Sequence, residues 1–176
     1  EELIGRALKG KKRDGIVIAT KFAWEFGPKG ERVRMNSKPE HIKKTIEGSL
    51  KRLGTDYIDL YYQHRLDPNT PIEETVGSIA ELIEAGYLRY IGLSEAGADT
   101  IRRAHAVHPV VDVQLEYSLI SRGIEDLVLP ACRELGIAVT AYGVLSRGLI
   151  SGHWSRERGA AGGDFRAHAP RFSEEN

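Results

Sequence analysis

The chain of 176 residues has one cysteine, Cys132, so no internal disulfide can form. That scarcity fits a reducing compartment, and a cytoplasmic location is expected. Cys132 falls in the apolar pattern of a helix, which favours a buried, inert thiol over a reactive one. No apolar run approaches a membrane span, and no signal peptide opens the sequence, so no membrane partner is expected. There is no excess of one charge: Lys+Arg and Asp+Glu are 25 each, and the isoelectric point is about 7.3. That balance argues against nucleic acid as a partner. No Gly-x-Gly-x-x-Gly turn and no P-loop is present. His153 and His168 have no paired Cys or Asp at ligand spacing, so no metal site is expected. The first residue is Glu rather than Met, and it already reads as helical. The chain is expected to be part of a longer polypeptide.

What is present is a regular alternation of helix and strand signals. Leu3, Ile4, Ala7 and Leu8 share one helical face, and Gly10 stops that helix. Residues 16–21 read as a buried strand. Ser37-Lys38-Pro39-Glu40 has the pattern of a capping box with an early proline, opening a helix with Ile42, Ile46, Leu50 and Leu53 on one side. Residues 57–64 are the next strand. Thr70-Pro71-Ile72-Glu73 repeats the capping pattern, and the helix it opens ends at Gly86. A strand at 90–94, a helix at 98–107 and a strand at 111–115 follow. A helix at 124–135 contains Pro130, which implies a kink or a later start. Residues 137–142 form the last strand.

Five βα units in this order imply a parallel sheet with right-handed crossovers. The doubly wound dinucleotide version needs the absent glycine turn, so the expected class is α/β, a (β/α)8 TIM barrel. A complete barrel takes eight strands and about 250 residues; this chain covers about five βα units. Residues 1–176 read as a single domain. From Ser146 onward Gly148, Gly152, Gly159, Gly162 and Gly163 replace the periodicity, so 146–176 is expected to be a mobile loop on the cofactor side. Five strands leave two open edges, which would attract other strands, including those of a second copy.

Lys21 and His64 close two adjacent strands, and a parallel barrel projects both from its catalytic rim. An ammonium beside an imidazole suits polarising a carbonyl or tuning a proton donor. Taken singly, the lysine could equally be a solvated rim charge and the histidine a loop cap. Trp24 and Phe26 could wall a pocket or pack on the rim.

Several longer motifs, in order, resemble the aldo-keto reductase superfamily, in its perakine-reductase-like, auxin-induced-protein-like branch. They are Glu1-Glu2-Leu3-Ile4-Gly5-Arg6-Ala7-Leu8, Ala19-Thr20-Lys21-Phe22, Ser49 through Leu60, Gln63-His64-Arg65, Ile91-Gly92-Leu93-Ser94-Glu95, Val113 through Ser118, Arg147-Gly148-Leu149 and Pro170-Arg171-Phe172. The resemblance implies an NADP(H)-dependent oxidoreductase that reduces small aldehydes and ketones by hydride transfer. It places Lys21 and His64 at two of four catalytic positions and makes this chain strands three to seven. The catalytic Asp and Tyr would lie just before Glu1, so the chain alone is expected to have little or no reductase activity. Lys21 would lower the pKa of the tyrosine, near ~10 when free, and His64 would orient the carbonyl oxygen.

The same resemblance gives the cofactor contacts. Ser94 and Gln114 would bond the nicotinamide carboxamide, and Tyr142 would stack on its ring. Gly143, Leu145, Arg147 and Leu149 would line the pyrophosphate. Two departures stand out: Gly143-Val144-Leu145-Ser146 replaces the usual Ser-Pro-Leu-Gly, and Glu95 stands where many members carry Asn. Two other readings belong to different classes. One is a non-catalytic barrel remnant that binds a nucleotide or a partner. The other is a Schiff-base aldolase using Lys21, which needs a lysine stripped of water and counter-charges.

Overall fold

The computed structural model describes residues 1–153 and 163–173. One parallel sheet contains, in spatial order, β1 (Ala19–Phe22), β4 (Ile58–Gln63), β5 (Leu88–Ser94), β6 (Val110–Glu116) and β7 (Ala138–Tyr142). The helices α1 (Glu2–Leu8), α2 (Pro39–Leu53), α3 (Ile72–Glu84), α4 (Ala98–Val107) and α5 (Val128–Leu135) alternate with them. Strand order follows chain order, as βα units in one barrel wall require. The apolar faces of the helices bury Ile42, Ile46 and Leu53 of α2, Ile72, Val76 and Ile79 of α3, Ile101 of α4 and Cys132 of α5. These meet Tyr61, Ile91, Leu93 and Val113 from the outer face of the strands. Burial pushes the Cys132 thiol above its ordinary pKa, in keeping with an inert core cysteine.

Side chains alternate along each strand, and β4 shows the division. Tyr61 points outward and stacks on Phe22 at 4.9 Å. Tyr62 points inward and donates to Asp112 of β6 at 2.5 Å. Thr140 of β7 donates to the other Asp112 oxygen at 3.0 Å. Gly92 stands between Tyr62 and β6 because a Cβ there would lie 2.4 Å from the Tyr62 ring.

Neither expected capping box forms. Lys38 and Pro71 occupy the N-cap positions of α2 and α3, with no side-chain cap. Ser37 instead accepts from Gln63 Nε2 (2.9 Å), and its amide donates to Asp67 (2.9 Å). Thr70 also donates to Asp67 (3.1 Å). Asp67 and Gln63 are buried polar groups that must be satisfied, so they take the groups that would have capped the helices. Pro130 is the third residue of α5, so the helix starts late and does not kink.

The stretch after Lys21 holds an unexpected hairpin, β2 (Trp24–Phe26) with β3 (Arg32–Met35). Gly27 to Gly30 turn it, and Glu25 pairs with Arg34 at 2.7 Å across it. Near the other end of β1, Asp59 is almost fully buried and accepts from Ile18 N–H (2.8 Å), Arg13 (2.5 Å) and Arg89 (3.0 Å). Within the expected loop at 146–176, Ser146–Gly148, Phe165–His168 and Pro170–Phe172 form single 3-10 turns. Gly159 and Gly162, with the rest of 154–162 and 174–176, lie outside the described residues. No helix among the described residues is long and apolar enough to cross a membrane, and none of their His, Cys, Asp and Glu side chains cluster as a metal site.

Candidate active site

Lys21 is the penultimate residue of β1, and His64 follows the last residue of β4. Their strands pair directly, with Lys21 opposite Tyr62, and the His64 amide donates to Phe22 O at 2.9 Å. Both residues line one cleft of about 860 Å³ that runs along β1 and the flank of α2, from Glu1 and Arg52 to Trp24, Phe26 and Arg32 of the hairpin. What brings the two expected catalytic residues together is the direct pairing of their strands.

Their electrostatics are coupled. Burial lowers the Lys21 pKa, and the Arg65 cation adds to that. Burial also lowers His64, helped by Lys21, Arg65 and Arg32. A neutral imidazole beside an ammonium can hydrogen-bond a carbonyl oxygen while the ammonium supplies positive charge. Lys21 Nζ donates to Gln114 Oε1 and lies 5.6 Å from the centre of the Tyr62 ring. Tyr62 is nevertheless a poor acid, because burial and its hydrogen bond to Asp112 raise its pKa further.

Ser94 ends β5, and Gln114, two residues before the end of β6, lies in register with it. Ser94 is buried, and Arg65 Nη1 lies 3.4 Å from its hydroxyl. The Gln114 oxygen is occupied by Lys21, which leaves its amide N–H2 to donate. Hydroxyl and primary amide on one rim suit the carboxamide of a nicotinamide, so the donor set fits that group. Tyr142 ends β7, where burial and a hydrogen bond to Glu95 raise its phenol pKa. Glu95 holds a left-handed backbone, φ 54°, and accepts from Glu116 N–H at 2.9 Å. The residue noted as a departure thus ties the ends of β6 and β7 together.

The loop after β7 folds on itself. Gly143, Ser146, Arg147 and Gly148 all have positive φ. The amides of Ser146, Gly148 and Leu149 donate to Gly143, Leu145 and Ser146 carbonyls at 2.7, 2.9 and 3.2 Å. Leu145 is exposed, and the Arg147 guanidinium sits 5.5 Å from the Phe165 ring. Ser146 is buried and donates to Ser118 Oγ at 2.9 Å. The Ser146, Gly148 and Leu149 amides are thus engaged inside the loop, not presented outward as a phosphate cradle. Arg171 reaches back to Glu116 at 2.8 Å, which brings 170–172 to the end of β6.

Arg65 and Glu116 are the rim residues that sequence reasoning passed over. Both stand inside family-like motifs, and the adjacency of Arg65 to His64 was a further signal. For Glu116 the pairing itself was not readable, since its partner lies 55 positions onward in an aperiodic segment (171 − 116).

The model of the aldo/keto reductase family matches residues 1–170. A protein named probable aldo-keto reductase 1, from Glycine max, is 49% identical over 177 residues, covering 100% of this chain and 50% of that protein. Among solved structures, the glycerol dehydrogenase AKR11B4 from Gluconobacter oxydans matches with a TM-score of 0.90 at 32% identity, over 99% of this chain and 54% of its own. The holo form of aldo-keto reductase AKR11C1 from Bacillus halodurans matches with a TM-score of 0.77 at 34% identity, over 84% and 49%. The chain spans about half the length of these relatives.

Proposed function

The chain belongs to the aldo/keto reductase family, and from that premise we propose that it carries the central part of the site of an NADP(H)-dependent carbonyl reductase acting in a reducing, cytoplasmic setting. The observation that supports this best is the contact of Lys21 Nζ with Gln114 Oε1, with His64 at the end of the strand paired to that of Lys21 and Ser94 in register with Gln114. When bound, the nicotinamide supplies the hydride that reduces the carbonyl carbon. His64, held neutral, donates to the carbonyl oxygen and fixes its orientation. Lys21 favours the ionised form of an acid placed next to it, and each unit of pKa shift corresponds to about 1.4 kcal/mol. Ser94 and the Gln114 amide hold the carboxamide, Tyr142 offers a stacking face, and the loop of Gly143, Leu145, Arg147 and Leu149 meets the phosphates through the Arg147 cation, since the Leu149 amide is taken within the loop.

The proton donor is the part this chain leaves open. Tyr62, the tyrosine whose ring Lys21 faces, is committed to Asp112. We assign the acid to a tyrosine outside residues 1–176, oriented with an aspartate on Lys21. The decisive assay is NADPH oxidation with 4-nitrobenzaldehyde. The chain alone should bind NADPH yet turn over little or not at all, and turnover at a rate typical of the family overturns that assignment. The same missing acid favours a second reading, a non-catalytic element that binds a nucleotide or partner. Adding the absent segments in trans separates the two, since only the reductase reading gains turnover.

A further inference from the structure

We propose that Tyr62 and Asp112 are positioning residues for Lys21: Asp112 pins the Tyr62 ring over Gly92, and the pinned ring is the floor across which the ammonium reaches Gln114. This rests on reading Lys21 as the cation that tunes the acid.

The register of the sheet puts these residues in one row. Lys21 is opposite Tyr62, Tyr62 opposite Gly92, and Gly92 opposite Asp112. Paired residues of one row face the same side of a sheet, here the inner one. Between Tyr62 and Asp112 the row has no side chain, because residue 92 is glycine. The Tyr62 ring fills that gap: a Cβ at 92 would lie 2.4 Å from its Cδ1 and 2.5 Å from its Cε1. The ring thus crosses β5, and its hydroxyl donates to Asp112 Oδ2 at 2.5 Å. Tyr62, Gly92 and Asp112 stand on β4, β5 and β6, the three strands that pair on both sides.

Asp112 is built as an anchor. It is buried, and its two oxygens accept from two hydroxyls, Tyr62 and Thr140. Among the described residues it makes no ion pair. A hydroxyl bonded to a carboxylate is held more firmly than one bonded to a neutral acceptor. Cys132 of α5 faces the same carboxylate from the other side of the sheet.

Lys21 uses the floor this makes. Its Nζ lies over the Tyr62 ring, 5.6 Å from the centre, and donates to Gln114, two strands beyond β4. The face of an aromatic ring attracts a cation, so a fixed ring fixes where the ammonium crosses. His64 and Arg65, the other cationic or titratable groups facing Lys21, follow β4 directly. A ring free to turn would leave Gln114 as the one contact directing the lysine.

Lys21 is followed by NMR in the full chain labelled with ε-13C-lysine, its resonance assigned with Lys21→Arg. The two readouts are its titration midpoint and the NOE from its ε-methylene to the Gln114 side-chain amide. Tyr62→Phe keeps the ring and removes the tether; Asp112→Asn keeps the shape and removes the charge. Both should keep the wild-type circular dichroism spectrum. Each should weaken the NOE and lower the midpoint by about half a unit, since the ammonium loses a fixed ring face or a carboxylate behind it. The combined variant should move the midpoint no further than the larger single change, because both act through one bond. Asp59→Asn, at the far end of the sheet, should lower stability and leave both readouts alone. Unmoved readouts in both single variants, additive shifts in the pair, or an equal shift in Asp59→Asn overturns the proposal. No cofactor, carbonyl or turnover enters these measurements. Turnover gained in trans with Lys21 unmoved keeps the reductase reading and defeats the tether. Lys21 moved as expected without such turnover upholds the tether and defeats that reading.

Discussion

The Lys21 ammonium donates to the side-chain oxygen of Gln114, 93 residues further along the chain. Two strands, β4 and β5, separate β1 from β6 in the sheet. In a flat sheet three strand spacings would hold those backbones about 14 Å apart. The contact therefore requires the wall to curl inward, so the two side chains meet across the hollow. Barrel curvature and site assembly are one fact here: the bend of the wall is what brings a lysine near the end of β1 to an amide near the end of β6.

The charge coupling at this mouth is measurable through His64. Burial comes first among the causes of its lowered pKa, and the Lys21 cation second. Its midpoint should fall below 6.5, the ordinary value for histidine. Lys21→Met should raise it, and Arg32→Ala should raise it less. Proton NMR of the His64 ring against pH gives both numbers. For stability the sign is fixed by the direction of the shift. Below 6.5 the unfolded chain takes up the proton before the folded one, so His64 lowers stability as pH falls towards its folded midpoint.

Gly92→Ala tests whether the inner network supports the mouth. The added Cβ would sit 2.4 Å from the Tyr62 ring, and β5 cannot retreat without leaving its neighbours. Overpacking of this kind costs about 1–3 kcal/mol. Urea denaturation should show that loss. The displaced Tyr62 should also release Asp112, so tyrosine absorbance should titrate at lower pH than in the wild type. Unchanged stability and an unchanged tyrosine titration would count against the network.

The order of helices and strands was legible because apolar periodicity reports burial, and burial decides element type in this chain. Ile42, Ile46 and Leu53, or Ile72, Val76 and Ile79, could lie on one face only as helices. Lys21 and His64 were legible because strand ends in parallel barrels share a rim. Three features were not. The hairpin has strands of three and four residues, too short for alternation to show. Its Gly27-Pro28-Lys29-Gly30 turn, flanked by Trp24 and Val33, was the readable sign. The capping boxes failed because Asp67 and Gln63 compete for the same hydroxyls and amides: for Ser37 the partners lie 26 and 30 residues away, where a local pattern cannot see them, while for Thr70 the competitor is Asp67, three residues before it. The Glu116–Arg171 pair depends on how an aperiodic segment returns to the sheet.

The sheet's outer strands make a prediction about association. Among the described residues β1 and β7 each pair on one side only, and Val17, just before β1, is 78% exposed. Unpaired parallel edges recruit strands. Residues 1–176 on their own should self-associate with rising concentration in sedimentation velocity. Val17→Lys combined with Ala141→Lys should shift the distribution towards monomer, since edge lysines resist strand addition. A monomer at all concentrations would refute this.

The strongest single dependence of stability should lie at Asp59. Burial by itself would raise its pKa, but the Ile18 amide and the Arg13 and Arg89 cations outweigh burial and leave it lowered. Arg13 and Arg89 also each lie 4.2 Å from the centre of the Tyr57 ring. The carboxylate thus joins the start of β1 to β4 and β5 through one set of contacts. Asp59→Asn keeps the shape but removes the charge, and Asp59→Ala leaves the Ile18 amide unsatisfied as well. Breaking a buried pair costs about 3–5 kcal/mol; Arg89 is half exposed, so the lower end is expected for Asp59→Ala and less for Asp59→Asn. Because the folded pKa is depressed, the wild-type contribution is fully present above the unfolded value near 3.8. It is lost as pH falls through the folded value. Denaturation midpoints of wild type and Asp59→Asn should therefore differ most near neutrality and converge in strong acid. A gap that stayed constant down to pH 2 would show that Asp59 acts through packing rather than charge.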